Sequence, residues 1–110
     1  MPNLKIHVSD AVWHDKGDAL TALLGPIRDM LCDEFRVGPE ACQLAIIPIY
    51  GLSDQPPVAV EIQIMPRPER DRAQIMATSR KLQALLADTS ATHVAVRVSS
   101  LDPVTYVALK

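Results

Sequence analysis

The chain of 110 residues contains few aromatic side chains: one tryptophan, one phenylalanine and two tyrosines. Its core must therefore be aliphatic, and it lacks the aromatic residues on which single-stranded nucleic acids stack. The formal net charge of -2 also argues against binding to a polyanion such as DNA or RNA. The sequence therefore predicts no nucleic-acid partner.

Long apolar runs are also missing from the chain. No stretch approaches the roughly 20 apolar residues that span a bilayer. The first ten residues alternate between apolar and polar side chains and do not form a signal-peptide core. We therefore expect an intracellular, cytoplasmic protein without a membrane partner. Cysteine is scarce as well: Cys32 and Cys42 form no C-x-x-C motif, so we expect two reduced, mostly buried thiols.

The chain does contain a pattern of apolar residues that predicts the same order of strands and helices twice. A length of 110 residues and a hydrophobic content of 48% favour one domain, residues 1–110, with a real core. The order is β-α-β, a loop and β-α-β again, which gives halves at about residues 2–50 and 57–110. Crossovers of this length join parallel strands. We predict an α/β (α+β) fold with a four-stranded mixed sheet and two helices on one face.

Two segments carry prolines that affect this prediction. A helical stripe extends from about residue 16 to 35, and Gly25-Pro26 predicts a kink or a split there, because proline removes a backbone donor. Residues 42–50 are apolar on both faces, which is typical of a central buried strand, with Pro48 at a bulge or strand end. The segment 102–110 is a candidate for a short extra strand.

The second face of the predicted sheet mixes polar and apolar residues. Its polar members are Lys5, His7, Glu61, Gln63 and Arg97. This face is too polar for the core of a monomer and too apolar in places for open solvent. We therefore predict that it forms an interface between subunits.

Pro2 is the principal candidate for a catalytic residue. The initiator methionine is usually removed before a small residue such as proline, and the chain would then begin with a secondary amine. An α-amino group has a pKa near ~8, and burial or nearby guanidinium groups lower this pKa because they disfavour the charged form. Pro2 would then be a base suited to proton transfer near neutral pH. The alternative is an incidental proline after Met1.

Arg67 and Arg70 lie three residues apart at the predicted start of the second helix. Both guanidinium groups can converge on one carboxylate, and the helix N-terminus adds partial positive charge. The alternative is a solvated basic loop in which they pair with Glu69 and Asp71.

Two further residues are candidates for contacts with a substrate. Arg97 interrupts an apolar strand, so it either lines a polar site or pairs with Glu61. Tyr106 either donates to a bound oxyanion or simply packs. The histidines lack metal-ligand spacing, and the chain has neither a glycine-rich phosphate loop nor a nucleophile elbow. We predict no metal and no cofactor.

Together these features resemble the tautomerase superfamily. The resemblance covers nearly the whole chain: an initial Met-Pro, then strand, helix and strand twice over. VAVEIQIMPRPERDRAQIM and the closing YVALK resemble the 5-carboxymethyl-2-hydroxymuconate isomerases, and the R-x-x-R spacing resembles HREGRS of the cis-3-chloroacrylic acid dehalogenases. The resemblance implies a homotrimer, a proton-transfer role for Pro2, and a carboxylate-binding role for Arg67 and Arg70.

The chain departs from these relatives at several positions. Arg97 stands where the dehalogenases have a tyrosine, and Glu69 replaces the glycine before the second arginine. Gln43 and Ala45 stand where the isomerases have arginines, although Gln43 can still donate a hydrogen bond to a substrate oxygen. The acidic, water-activating residue of the dehalogenases has no counterpart.

Three hypotheses follow. The preferred one is a tautomerase that moves a proton in a small unsaturated 2-oxo or 2-hydroxy carboxylic acid. In it Pro2 is the base, Arg67 and Arg70 hold the carboxylate, and the dienolate is stabilised by Arg97, Gln43 or Tyr106. The second is a haloacrylate hydratase or dehalogenase, which needs Pro2 protonated. The third is a non-catalytic, ferredoxin-like oligomer that binds a small anion or a protein.

Overall fold

A computed structural model describes residues 2–110 and contains one mixed sheet of four strands. The strands are β1 (Asn3–Ser9), β2 (Gln43–Ile49), β3 (Val58–Ile64) and β4 (Val94–Ser100). Their order is β2-β1-β3-β4; β1 is parallel to β2, β3 is parallel to β4, and the two central strands are antiparallel. Each half therefore contributes one parallel pair, and the predicted mixed sheet of two β-α-β units is confirmed.

The helices are α1 (Asp10–Thr21), α2 (Leu24–Phe35) and α3 (Arg72–Ser90), with a short 3-10 helix at Pro39–Ala41. There are three rather than two because the first predicted helix is split, as the proline had suggested. The break lies before the proline, at Ala22 and Leu23. Gly25 and Pro26 occupy the first turn of α2, where a missing N–H costs no helical hydrogen bond. The first helix also begins earlier than predicted, directly after β1.

The core lies between the helices and one face of the sheet. Alternate residues of β1 and β3 are fully buried, which confirms the period-two pattern of both strands. The helices contribute mostly leucines, and Phe35 at the end of α2 is the large aromatic residue of the core. The core is thus almost entirely aliphatic, as the composition requires.

The prediction that residues 42–50 form a central strand is wrong, because β2 is an edge strand. Its apolar residues are only half-buried: Leu44 and Ile46 pack against the core, while Ile47 points to the opposite face. Pro48 lies one residue before the end of β2, opposite Val8. An edge strand tolerates proline because part of its backbone faces no neighbouring strand.

The sheet face turned away from the helices is called the open face below. Its central row runs across three strands in register, with Lys5 on β1, Glu61 on β3 and Arg97 on β4. These three side chains are exposed, whereas Ala45 and Ile47 of β2 on the same face are half-buried. The open face therefore mixes alternating charges with an apolar margin, as the sequence predicted.

The chain beyond β4 does not form the extra strand considered above. Residues 103–105 form a turn, and the remaining residues to 110 have no regular secondary structure. Several apolar side chains of this segment are exposed, among them Val107 and Leu109. No helix within residues 2–110 is long and apolar enough to cross a membrane.

Candidate active site

One end of the sheet collects most of the residues that the sequence singled out. β1 and β2 begin at this end, and the antiparallel β3 ends there, since Asn3 pairs with both Gln43 and Gln63. The loop that carries Arg67 and Arg70 follows β3 and so starts at the same end. The topology thus places Pro2 and these two arginines at the same end of the sheet. Their spacing along the chain had not predicted this.

Pro2 is buried immediately before β1. Its carbonyl oxygen accepts a hydrogen bond of 3.0 Å from the backbone N–H of Gln43, which extends the β1–β2 pairing by one residue. This bond fixes the position of Pro2 relative to Gln43. Of the predicted site residues, these two are in direct contact.

A cleft of about 170 Å³ opens beside this pair and is called the Gln43 cleft below. Its walls are formed by Asn3, Glu40, Ala41, Cys42, Gln43 and Lys110. Two side-chain amides, of Asn3 and Gln43, and the ammonium group of Lys110 are its hydrogen-bond donors, and they are opposed by the carboxylate of Glu40. Such a set can hold an oxyanion, with the ammonium supplying the positive charge.

A second and larger cleft, of about 400 Å³, lies between the start of α2 and β2 and is called the Arg28 cleft below. It is lined by Leu24, Gly25, Arg28, Cys42, Gln43 and Leu44. Cys42 and Gln43 line both clefts. Gln43, the first residue of β2, therefore borders two cavities.

Arg70 is tied into the protein interior. Only 6% of its surface is exposed, and its Nη1 and Nη2 donate to the carbonyl oxygens of Met65 and Phe35 at 2.6 and 2.8 Å. Its guanidinium carbon also lies 5.3 Å from the centre of the Phe35 ring. Burial, and next the charge of Arg67, lower the pKa of Arg70. Its side chain thus joins the end of α2 to the loop after β3.

Arg67 has a different environment from Arg70. Its side chain is 46% exposed, and the nearest carboxylate oxygen, of Glu69, is 4.0 Å away. This exposed pair contributes little to stability and leaves the guanidinium available to a ligand. The expectation that both arginines hold one carboxylate therefore needs correction, since Arg70 already donates to two backbone carbonyls.

The N-terminus of α3 is also occupied. The Asp71 side chain accepts a hydrogen bond of 2.9 Å from the backbone N–H of Gln74, as an N-cap residue does. The Asp71 carboxylate thus occupies the N-terminus of α3, whose partial positive charge was expected to stabilise a bound anion. Arg67, and not the helix end, is the cationic group that this loop presents to solvent.

Arg97 and Tyr106 are the remaining two predicted residues, and within one chain Arg97 lies away from Pro2. Arg97 is in the middle of β4 on the open face, two strands away from Lys5 and roughly 14 Å from Pro2 by strand geometry. It lies opposite Glu61, and the two border a shared cleft of about 350 Å³. Tyr106 is half-buried in the segment after β4, where its N–H donates to the Asp102 carbonyl.

Three residues that line the Gln43 cleft were not among the site residues predicted from the sequence: Asn3, Glu40 and Lys110. Asn3 alternates with the core residues of β1, so its direction was readable from the pattern. The positions of Glu40 and Lys110 at this cleft depend on where the 3-10 helix and the C-terminal segment fold back. No local signal in the sequence reports that placement.

Comparisons with known proteins connect this geometry to a fold. No protein-family model and no curated protein matches the sequence. Among solved structures, N1, a member of the cis-3-chloroacrylic acid dehalogenase family, superimposes with a TM-score of 0.71 at 14% identity. The match covers 96% of this chain and 79% of that chain. The fold is that of the tautomerase superfamily.

Two further structures show the same tautomerase fold. A wild-type fused 4-OT, F6, solved as an asymmetric trimer, matches with a TM-score of 0.73 at 13% identity, over 96% of this chain and 91% of that one. Malonate semialdehyde decarboxylase matches with a TM-score of 0.63 at 13% identity, over 97% and 90%. These proteins differ in chemistry, so what they share with this chain is the tautomerase fold.

Proposed function

We propose that this protein is a tautomerase that moves a proton within a small unsaturated 2-oxo or 2-hydroxy carboxylic acid, with Pro2 as the base. One observation carries the proposal: within a tautomerase fold, a proline at position 2 lies buried immediately before β1, next to the polar Gln43 cleft. The test is the ketonisation of an enol acid such as phenylenolpyruvate. We propose a cytoplasmic location.

The proton transfer requires no co-reactant. After removal of Met1, the neutral amine of Pro2 takes the proton from the enol hydroxyl and becomes an ammonium group. It then returns the proton to the substrate carbon, which restores the neutral amine. Gln43 and Lys110, which line the Gln43 cleft, would donate to the oxyanion that exists between the two steps.

Arg67 is the residue that we assign to the substrate carboxylate. It is exposed, it lies in the loop after β3, and its guanidinium matches the two oxygens of a carboxylate. Arg70 acts as a positioning residue, because it fixes this loop to the end of α2 through Met65 and Phe35.

We expect Arg67→Ala to raise the KM for an enol acid roughly 10- to 100-fold, because a charge-assisted hydrogen bond to the carboxylate is lost. The kcat should change little, since the carboxylate is bound equally in the ground and transition states. Steady-state kinetics measures both values. Arg80→Ala, which removes the same charge from the exposed side of α3, is the control. An unchanged KM in Arg67→Ala would exclude this role.

We further propose a homotrimer in which the open face is the interface. The half-buried Ala45 and Ile47 give this face an apolar margin, and Lys5, Glu61 and Arg97 alternate in charge across it. The trimeric assembly of the fused 4-OT structures supports this number of subunits. In a trimer, Arg97 or Tyr106 of a neighbouring chain would complete the site around Pro2.

Sedimentation velocity should give a mass of about three times the 12.0 kDa of one chain. Ile47→Lys should reduce this to a single chain, because the lysine places an unpaired charge in the apolar part of the interface. Ala84→Lys puts the same side chain on the exposed face of α3 and should leave the mass unchanged. A wild-type protein that sediments as one chain at micromolar concentration would contradict the trimer.

A further inference from the structure

Two cysteines lie against each other beside the candidate site, and the proposed proton transfer uses neither. Cys32 is in the last turn of α2, and Cys42 immediately precedes β2. Their sulfur atoms are 3.8 Å apart, and both are free and half-buried. A disulfide has an S–S distance of about 2.05 Å, so an approach of roughly 2 Å would join them.

The chain reversal between α2 and β2 creates this proximity. Arg36 adopts a left-handed conformation with φ 53° and ends the helix. The N–H of Val37 then donates to the Cys32 carbonyl, and the N–H of Cys42 donates to the Pro39 carbonyl. These bonds hold both ends of the connection, so the two cysteines face each other in the folded chain although they are ten residues apart.

We propose that Cys32 and Cys42 form an intramolecular disulfide when the protein meets a peroxide. The Cys32 sulfur attacks one peroxide oxygen, the O–O bond breaks, and a sulfenic acid and water result. The Cys42 sulfur then displaces the sulfenic hydroxyl as a second water, and the S–S bond forms. The two thiols lose two electrons and two protons, which reduce the peroxide to water.

The environment of the two thiols sets the order of these steps. Burial, together with the hydrogen bond and charge of Cys32, raises the pKa of Cys42 to about 11. Cys42 therefore stays protonated at neutral pH and is a poor first nucleophile. It is well placed to resolve a sulfenic acid on Cys32, because its own sulfur already contacts Cys32 and lines the Arg28 cleft.

The disulfide would link the end of α2 to the start of β2, next to Gln43, and it would form whether or not Pro2 is catalytic. Closing this short ring restricts the unfolded chain. On that basis the oxidised protein should have a Tm higher by on the order of 10 °C.

The experiment treats the folded, full-length protein with a small excess of hydrogen peroxide and follows its intact mass and Tm. The wild type should lose two hydrogen atoms in mass, gain stability, and recover its original mass with a reducing agent. Cys42→Ser should instead accumulate a sulfenic acid at Cys32 that dimedone traps. Cys32→Ser should react far more slowly and show neither product.

Three results would overturn the proposal. The first is oxidation of one wild-type cysteine to sulfinic acid without the loss of two hydrogens. The second is a disulfide found only between two chains on non-reducing gels. The third is an intramolecular bond that forms only in denaturant, which would show that the folded structure does not bring the two sulfurs together.

Discussion

Pro2→Ala should lower the rate of phenylenolpyruvate ketonisation at least 100-fold. Alanine still supplies a primary α-amine, but this amine lacks the ring that fixes its direction, and a general base contributes roughly 10² to 10⁴ in rate only when it is positioned. The substitution should preserve the fold, since Pro2 contributes its carbonyl oxygen to the Gln43 N–H and alanine keeps that carbonyl. Equal melting temperatures of the two proteins would therefore assign the loss to chemistry and not to stability.

Blocking the amine of Pro2 is a stricter test of its role as the base. A version with two residues added before Pro2, and not removed, converts the secondary amine into an amide without basicity. This version should be inactive, and mass spectrometry should confirm that Met1 is absent from the active wild type. Full activity with a blocked amine would exclude Pro2 as the base.

The pH dependence separates the tautomerase from the hydratase and dehalogenase alternative. A base works in its neutral form, so kcat/KM for ketonisation should rise with pH and level off above the pKa of the amine. A haloacrylate hydratase needs the protonated amine, so its rate should fall over the same range. Measuring both substrates with one preparation gives two profiles of opposite slope to compare. No turnover of either substrate, with Met1 absent, would favour the binding protein.

The fold was largely readable from the sequence because its strands alternate strictly. Leu4, Ile6 and Val8 on β1 are all fully buried, as the period of two requires. The apolar residues on both faces of β2 led to a wrong prediction, because they form the half-buried apolar margin of an edge strand and do not mark a central strand. A single sequence cannot distinguish burial under helices from an apolar surface that awaits a partner.

The site was less readable than the fold. The spacing of Arg67 and Arg70 indicated one shared role, but whether a guanidinium faces solvent or interior depends on residues distant in sequence. Phe35, which accepts a hydrogen bond from Arg70, lies 35 residues away. The proximity of Cys32 and Cys42 likewise follows from the turn between them and not from a motif.

Arg70→Met should destabilise the protein by about 2 to 4 kcal/mol in urea unfolding. The guanidinium donates to two carbonyls, of Phe35 and Met65, and hydrogen bonds from charged groups contribute about 1.5 to 3 kcal/mol each. Methionine keeps an unbranched apolar stem but leaves both carbonyls without this donor and removes the guanidinium from the Phe35 ring. Burial of the charged guanidinium costs free energy in the wild type, and methionine removes this cost. The gain offsets part of the lost hydrogen bonding, which explains the lower end of the expected destabilisation.

Arg67→Met is the matched control, because it removes the same type of side chain three residues away. Its partner Glu69 is at 4.0 Å and both side chains are about half exposed, so the change should stay within about 0.5 kcal/mol. Arg70→Lys should fall between the two, since a single ammonium group cannot reproduce the fork that reaches both carbonyls.

The pair of variants also decides which arginine binds the substrate. If Arg70 is a positioning residue, Arg70→Met should shift the urea midpoint strongly, and any effect on KM should follow from a displaced Arg67. If Arg70 instead holds the carboxylate, Arg70→Met should raise KM while leaving the midpoint close to that of Arg67→Met. The free energy of unfolding of the two variants, measured side by side, therefore tests whether the buried guanidinium is structural independently of any catalytic assay.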